Sequence, residues 1–502
     1  MKLWRYLVPA LLLVVAAAVV LWITRPQEVV EEPFTPRQSH RDYREALDRL
    51  EIADTAMARA WVDAAEEALE EPVGVTPPVS ETLYFDPREP GAVGYWFPVT
   101  RGRRIVIDLE AEHDYYFADV FRLRSVEGAG EEGESQLEPE ELVASRPENQ
   151  DRVVFEARSN GFYLLRLQPE LLRGGEFGIS MVEEASLAFP VEGATERDIW
   201  SFFGDGRDGG AREHHGVDVF APRGTPVLAV GDAEVLRVGT RDRGGKIVTL
   251  WDEARGIMLY YAHLEDQLTT RGTRVEAGDV IGTVGNSGNA ITTPPHLHIG
   301  IYQGSWRRPV DPWGYFVNPP RTRPDPVPAT GRQGIGEWIT APEPISLVSR
   351  LSPEAPTSPE PRNRNPYLQG AGDSFEGAES RPDPELRPPA ERRISVEAGA
   401  PLRVTGASAG FLRVRTLEGE SGFLALPSSG LDLNRLGGDP PDDPGAAVTP
   451  GDGRLLRDHV SGDAFGRLPA GESVIALAAT PRGELVRLAS GRVALLEAAR
   501  QE

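Results

Sequence analysis

Cysteine is absent from all 502 residues. That excludes disulfides, thiolate metal sites and a lipid-modified cysteine, and it removes any redox argument about compartment. Basic charge is also in deficit, with 53 Lys and Arg against 77 Asp and Glu and a formal net charge of −24. A phosphate backbone needs a basic footprint, so nucleic-acid binding is disfavoured. No H-E-x-x-H occurs, which excludes a helix-borne metal site with a glutamate base. Histidine is scarce as well: the chain has eight, yet five of them lie between His214 and Tyr302.

That window opens with H-H-G-V-D (214–218), passes through Y-Y-A-H-L (260–264) and closes with P-H-L-H-I (295–299). A neutral imidazole offers one nitrogen to a metal while a hydrogen bond holds the other. His296 and His298 sit in an alternating run, H-L-H-I-G-I-Y, so on a strand both rings enter one groove. His214 and Asp218 are four apart, but Gly216 and the following A-P-R-G-T-P predict a bent strand or loop rather than a helix. Two histidines and a carboxylate leave a fourth tetrahedral position open, as in catalytic rather than structural zinc sites.

Further segments carry a family resemblance: F-P-V-E-G (189–193), F-G-D-G-R (203–207), A-P-R-G-T-P-V (221–227), V-E-A-G-D-V-I-G (275–282) and G-N-S-G-N (285–289). With the histidine motifs, they resemble the lysostaphin-like (LytM-type) zinc endopeptidases that cut bacterial peptidoglycan, over roughly Phe189 to Phe316. The resemblance implies one Zn2+ held by His214, Asp218 and His298. It implies that His296 is the base taking a proton from the attacking water and that His263 is a second catalytic histidine, polarising or stabilising the oxyanion. His215 is then not a ligand and points away from the groove. One departure is the tyrosine upstream of the first ligand in some members, which has no counterpart here; Asp208 lies about there.

The fold expected is mainly β and multidomain. Lys2 and Arg5 precede an apolar run from Tyr6 to Ile23 that Arg25 and Pro26 stop, so residues 1–26 read as a signal anchor or a signal peptide. Either places the remainder outside the cytoplasm, in the periplasm or beyond, with the inner membrane as a partner. A helical pattern spans 39–72, carried by Tyr43, Leu47, Leu50, Met57, Trp61 and Ala65. Short β-rich runs over 80–184 predict a sandwich similar to pre-peptidase domains, with the acidic stretch 127–151 as a solvated loop. An all-β peptidase domain is expected over 185–317 and a linker over 318–335. An SH3-like domain is expected over 336–430 with a disordered insert at 352–390, and a second SH3-like copy over 449–498.

Residues 191–317 hold 17 acidic and 13 basic residues, so the acidity belongs mostly to the flanks. Recognition of wall is therefore expected to be short-range. The function expected is hydrolysis of peptide cross-links or stem peptides of peptidoglycan, with the D-alanyl–diaminopimelate amide as the preferred bond. The alternative is a non-catalytic wall-binding scaffold or an activator of separate amidases. The portion before residue 185 is expected either to limit access to the groove, in the manner of a regulator, or to act as a spacer.

Overall fold

The computed structural model describes residues 39–49, 52–87, 89–126, 136–147, 150–207, 210–328, 332, 334–351, 391–417, 419–426, 433–437 and six strands between 447 and 497. The expected membrane segment (1–26) and insert (352–390) lie outside the described residues. Among the described residues, no helix is long and apolar enough to cross a membrane.

The helical stretch is two helices rather than one, His40–Arg49 and Ala56–Glu70. Each has its own cap. Ser39 and Asp42 exchange bonds, the Asp42 N–H donating to Ser39 Oγ and the Ser39 N–H to Asp42 Oδ2, both at 3.2 Å. Thr55 Oγ1 accepts from the Ala58 N–H at 3.2 Å. A threonine that caps must itself stand outside the helix, so the chain breaks there despite a continuous apolar pattern. His40 stacks on the buried Trp61 at 4.6 Å.

Two sheets share the core of the next region. One runs, in spatial order, Arg350–Leu351, Val73–Val75, Val93–Val99, Gly161–Pro169, Tyr116–Val126 and Gln136–Ser145. The other runs Arg393–Val396, Ile345–Val348, Ser421–Ala425, Phe411–Arg415, Pro401–Ser408, Val79–Phe85, Gly175–Ala185, Arg103–Ala111 and Arg152–Glu156. Alternate residues such as Ile105, Ile107 and Leu109 enter the core that also takes Phe97, Val120, Leu165 and Phe177. The acidic stretch expected as loop is in part an edge strand: Gln136–Ser145 pairs antiparallel with Tyr116–Val126. Arg124–Glu138 (3.0 Å) and Arg122–Glu140 (3.7 Å) tie the two. An exposed edge needs no apolar alternation, which is why composition concealed it.

The segment expected as a separate C-terminal module is joined to this sandwich. Pro401–Ser408 pairs with Val79–Phe85, and Leu351 and Phe423 enter the sandwich core. At the join, Arg413 Nε and Nη2 donate to Glu81 at 2.6 and 3.0 Å, and the Tyr95 hydroxyl donates to the same carboxylate at 2.6 Å. The guanidinium lies 4.8 Å from the centroids of both Tyr95 and Phe423. Both charges are 2% exposed. Further along the chain, six strands from Ala447–Val448 to Val493–Glu497 form a separate sheet around Leu456, Leu468, Val474, Val486 and Leu496.

Between these lies the sheet that carries the histidines. Its strands run Ile199–Ser201, Val217–Phe220, His296–Gln303, Ile257–Gln267, Gly245–Asp252, Ala233–Arg241 and Arg274–Val275. Off this path, Pro226–Leu228 pairs with Val280–Val284, which also pairs with Ile257–Gln267. Pro226–Leu228 and Ala233–Arg241 are separate strands, parted where Gly231 passes close to Leu187. Arg255 holds this sheet to the sandwich through Glu156 (2.7 and 2.8 Å) and anchors to Asp252 (2.7 Å).

Removing one partner of a buried pair leaves the other charged, buried and unpaired. Arg413→Ala should therefore cost about 3–5 kcal/mol in urea unfolding. Glu81→Leu with Arg413→Leu, which removes both charges, should recover much of that loss. An Arg413→Ala loss below about 1 kcal/mol would mean that the pair does not fasten the join.

Candidate metal centre

Sheet register assembles the site. Asp218 opposes His298 across the Val217–Phe220 and His296–Gln303 strands, and His298 opposes Ala262 on its other side. Gly216 lets the first motif approach: a Cβ there would lie 2.4 Å from the Ile299 carbonyl oxygen and 2.8 Å from the His298 ring. Three donor atoms converge as a result. His214 Nε2 lies 2.9 Å from His298 Nδ1 and 3.1 Å from Asp218 Oδ1, and His298 Nδ1 lies 2.9 Å from the same oxygen. Among the described residues these three are the group able to hold a metal ion.

The donor set suits zinc. Three N or O donors on a tetrahedral ion with bonds near 2.0–2.1 Å stand roughly 3.3–3.4 Å apart, so a few tenths of an ångström of outward movement admits it. Outer partners already orient the ligands. His214 Nδ1 faces the Phe202 carbonyl at 2.8 Å, so that Nε2 is the ring nitrogen turned towards the ion's position. Arg207 Nη2 donates to Asp218 Oδ2 at 2.7 Å. Burial alone would raise the Asp218 carboxyl, but hydrogen bonds and charge from His214 and His298 hold it well below the usual carboxylate range. Burial lowers His298. An ionised carboxylate is the protonation state that a metal requires.

His263 reaches the groove by a backbone irregularity. Tyr260 and Ala262 line the groove, so strict alternation would turn His263 to the other face, with the buried Tyr261. Instead the register with Gly245–Asp252 shifts between Lys246 and Val248, and His263 takes φ +64°. Such a bulge re-aims one side chain, and a left-handed non-glycine residue stores strain that the surroundings must enforce. The His263 N–H donates to Gly244 O at 2.8 Å, and its Nδ1 meets Ser287 O at 2.8 Å. Gly245 makes that neighbour possible, because a Cβ would lie 2.3 Å from Ser287 Oγ.

Burial, with the backbone bond to Ser287 opposing it, lowers His263 to about 4, so the ring is neutral at pH 7. With Nδ1 engaged at Ser287 O, Nε2 is the ring nitrogen left to face the groove. The His296 Nδ1 likewise meets a backbone carbonyl, Pro294 O, at 2.9 Å, and its ring centre lies 5.0 Å from that of His263. His215 stays outside the donor cluster, but it borders the groove, exposed and stacked near Phe203 at 6.5 Å, rather than pointing away from it. Asp208 lies outside the described residues.

The groove measures about 970 Å³, and every residue lining it comes from 200–306. Among the described residues, then, none from the sandwich borders it. Sequence reasoning missed Ser201, Arg207 and Ser287 as supports, although Arg207 stood within F-G-D-G-R and Ser287 within G-N-S-G-N.

Residues 212–312 match Peptidase family M23. They form an M23 peptidase domain. The chain is similar to the L-Ala–D-Glu endopeptidase of Bacillus subtilis, at 38% identity over 128 residues, 24% of this chain and 39% of that protein. It is 33% identical over 129 residues to the glycyl-glycine endopeptidase ALE-1 of Staphylococcus capitis, covering 26% of this chain and 32% of that protein. To the peptidoglycan DD-endopeptidase ShyC of Vibrio cholerae it is 37% identical over 90 residues, 18% of this chain and 20% of that one. The chain thus spans well under half the length of each relative, and the likeness concerns the M23 domain.

Metal content separates holders from neighbours in this domain. His298→Ala and Asp218→Ala should purify with little zinc by plasma emission, while His263→Ala, His296→Ala and His215→Ala should keep near-stoichiometric metal. If His215→Ala emptied the site while His214→Ala left it filled, the ligand set would be wrong.

Proposed function

We propose that the M23 domain is a zinc-dependent endopeptidase acting on the peptides of bacterial peptidoglycan. The observation that carries this reading is the convergence of three donor atoms beside two further imidazoles that present nitrogens to one open groove. The three relatives' names specify different bonds but a shared peptidase activity. The finer proposal is an amide within or between stem peptides, D-alanyl to diaminopimelate in the first instance. Members that act as activators of other enzymes are expected to lack ligands, and here the set is complete.

His214, Asp218 and His298 would hold the ion. When bound, it supplies Lewis acidity for the scissile carbonyl and eases deprotonation of a neighbouring water. His296 Nε2 accepts the proton of the attacking water, because its Nδ1 hydrogen is fixed on Pro294 O. It can return that proton to the departing amine. His263 Nε2 orients the water from the other side of the groove. Arg207 keeps Asp218 aimed and ionised. A wall substrate requires these residues to lie outside the cytoplasmic membrane, with 1–26 as anchor or signal.

Full-length protein loaded with zinc should release peptides from purified cross-linked wall, and mass analysis of the products identifies the bond. A chelator should stop release. His296→Ala and His263→Ala should each slow it by about 100- to 10,000-fold, the usual cost of losing an acid–base group. Failure of stoichiometrically zinc-loaded protein to release any peptide would overturn the hydrolytic reading.

A further inference from the structure

One wall of the groove is cationic in a chain whose net charge is −24. Arg237 and Arg241 lie on the Ala233–Arg241 strand, and Arg243 follows in the hairpin turn. All three are exposed and border the groove; Asp242, between them in sequence, does not. Among the described residues, no carboxylate pairs with any of the three guanidinium groups. The acids that do line the groove are already engaged. Asp218 is held by the two ligand histidines and Arg207, while Asp205 accepts from the Ser201 hydroxyl (3.1 Å) and the Phe202 N–H (2.8 Å).

The sheet fixes where these charges stand. Arg237 opposes Thr249, Thr249 opposes Tyr260, and Tyr260 opposes Gly300, two residues along from His298. Arg237 is thus in the row beside the ligand row, three strands away, or about 14 Å at the usual strand spacing. Thr249 and Tyr260 line the groove between them. Arg241, four residues beyond Arg237 on the same face, turns its charge towards the same place. Burial raises the Tyr260 hydroxyl, and the charges of Arg241 and Arg237 both oppose that rise.

Exposed guanidiniums without protein partners, converging on one end of a substrate groove, have the chemistry of a carboxylate receptor. We propose that Arg237 and Arg241, assisted by Arg243, form a carboxylate-binding subsite of the M23 domain. It selects stem peptides that carry free carboxylates over those whose carboxylates are amidated or absent. The inference rests on the peptidoglycan reading for the identity of the ligand. Its physical content is a preference for negative charge set three strands across and one row along from the metal ligands, about 16 Å at the usual strand spacings. Global acidity then has a local counterpart: the chain repels anionic wall polymer in general and admits a carboxylate only where this wall meets it.

Binding to the full-length, metal-free protein tests this apart from catalysis. Two synthetic stem tetrapeptides of diaminopimelate type, one with free carboxylates and one with carboxamides, would be titrated calorimetrically at physiological ionic strength. The acid form should bind about 10- to 100-fold more tightly, the worth of charge-assisted hydrogen bonds. In the Arg237→Gln/Arg241→Gln double variant the ratio of affinities should fall to about one. Arg237→Lys/Arg241→Lys should keep a clear part of the preference, since charge remains while the fork is lost. Equal affinities in the unaltered protein, a preference that survives the glutamine pair, or no binding of either peptide would each overturn the subsite. A carboxylate preference in protein that cleaves no wall when zinc-loaded would sink the hydrolytic reading and leave the subsite standing.

Discussion

The antiparallel register that sets Asp218 opposite His298 is the constraint on which the site depends. One residue of slippage in either strand would turn that strand's ligand to the opposite face from its partner, because side chains alternate with a period of two. The register is enforced on both sides: Val217, Val219, Leu297, Ile299 and Ile301 fill the core beneath while the polar partners point into the groove. Gly216 permits the approach that the register demands. With that row fixed, His214 needs only the loop that binds its backbone, where its N–H donates to Asp205 O and its carbonyl accepts from Gly204.

His263 obeys a different rule. It sits in strained left-handed backbone at a bulge, held by its own N–H on Gly244 and its ring on Ser287. The first contact holds the backbone and the second orients the ring, leaving Nε2 towards the groove. Burial completes the effect by keeping the ring neutral.

Away from the groove, stability is shared across segments far apart in sequence. The Val79–Phe85 strand would be an exposed edge without Pro401–Ser408, and Glu81 would be a buried charge without Arg413. Opposite-sign pairing also joins the M23 domain to the sandwich, through Arg255 and Glu156.

Much of the site was legible in the sequence because metal chemistry constrains residue type and spacing. H-x-x-x-D and H-x-H identified His214, Asp218, His296 and His298, and strand alternation placed the last two on one face. Local signals also gave the mainly β character. What they could not give was anything decided by contacts between distant segments. A bulge is a property of two strands, so the aim of His263 emerges only when Ile257–Gln267 meets Gly245–Asp252. The edge strand Gln136–Ser145 lacks apolar alternation and depends on arginines across the ladder. The C-terminal module reads as independent because its own pattern is complete; only the buried Glu81–Arg413 pair and the shared sheet make it part of the sandwich. Net charge was fixed by composition, but where these arginines gather was decided by tertiary structure, since cross-strand register sets Arg237 in the row of Tyr260 and the charge of Arg241 acts on the same hydroxyl.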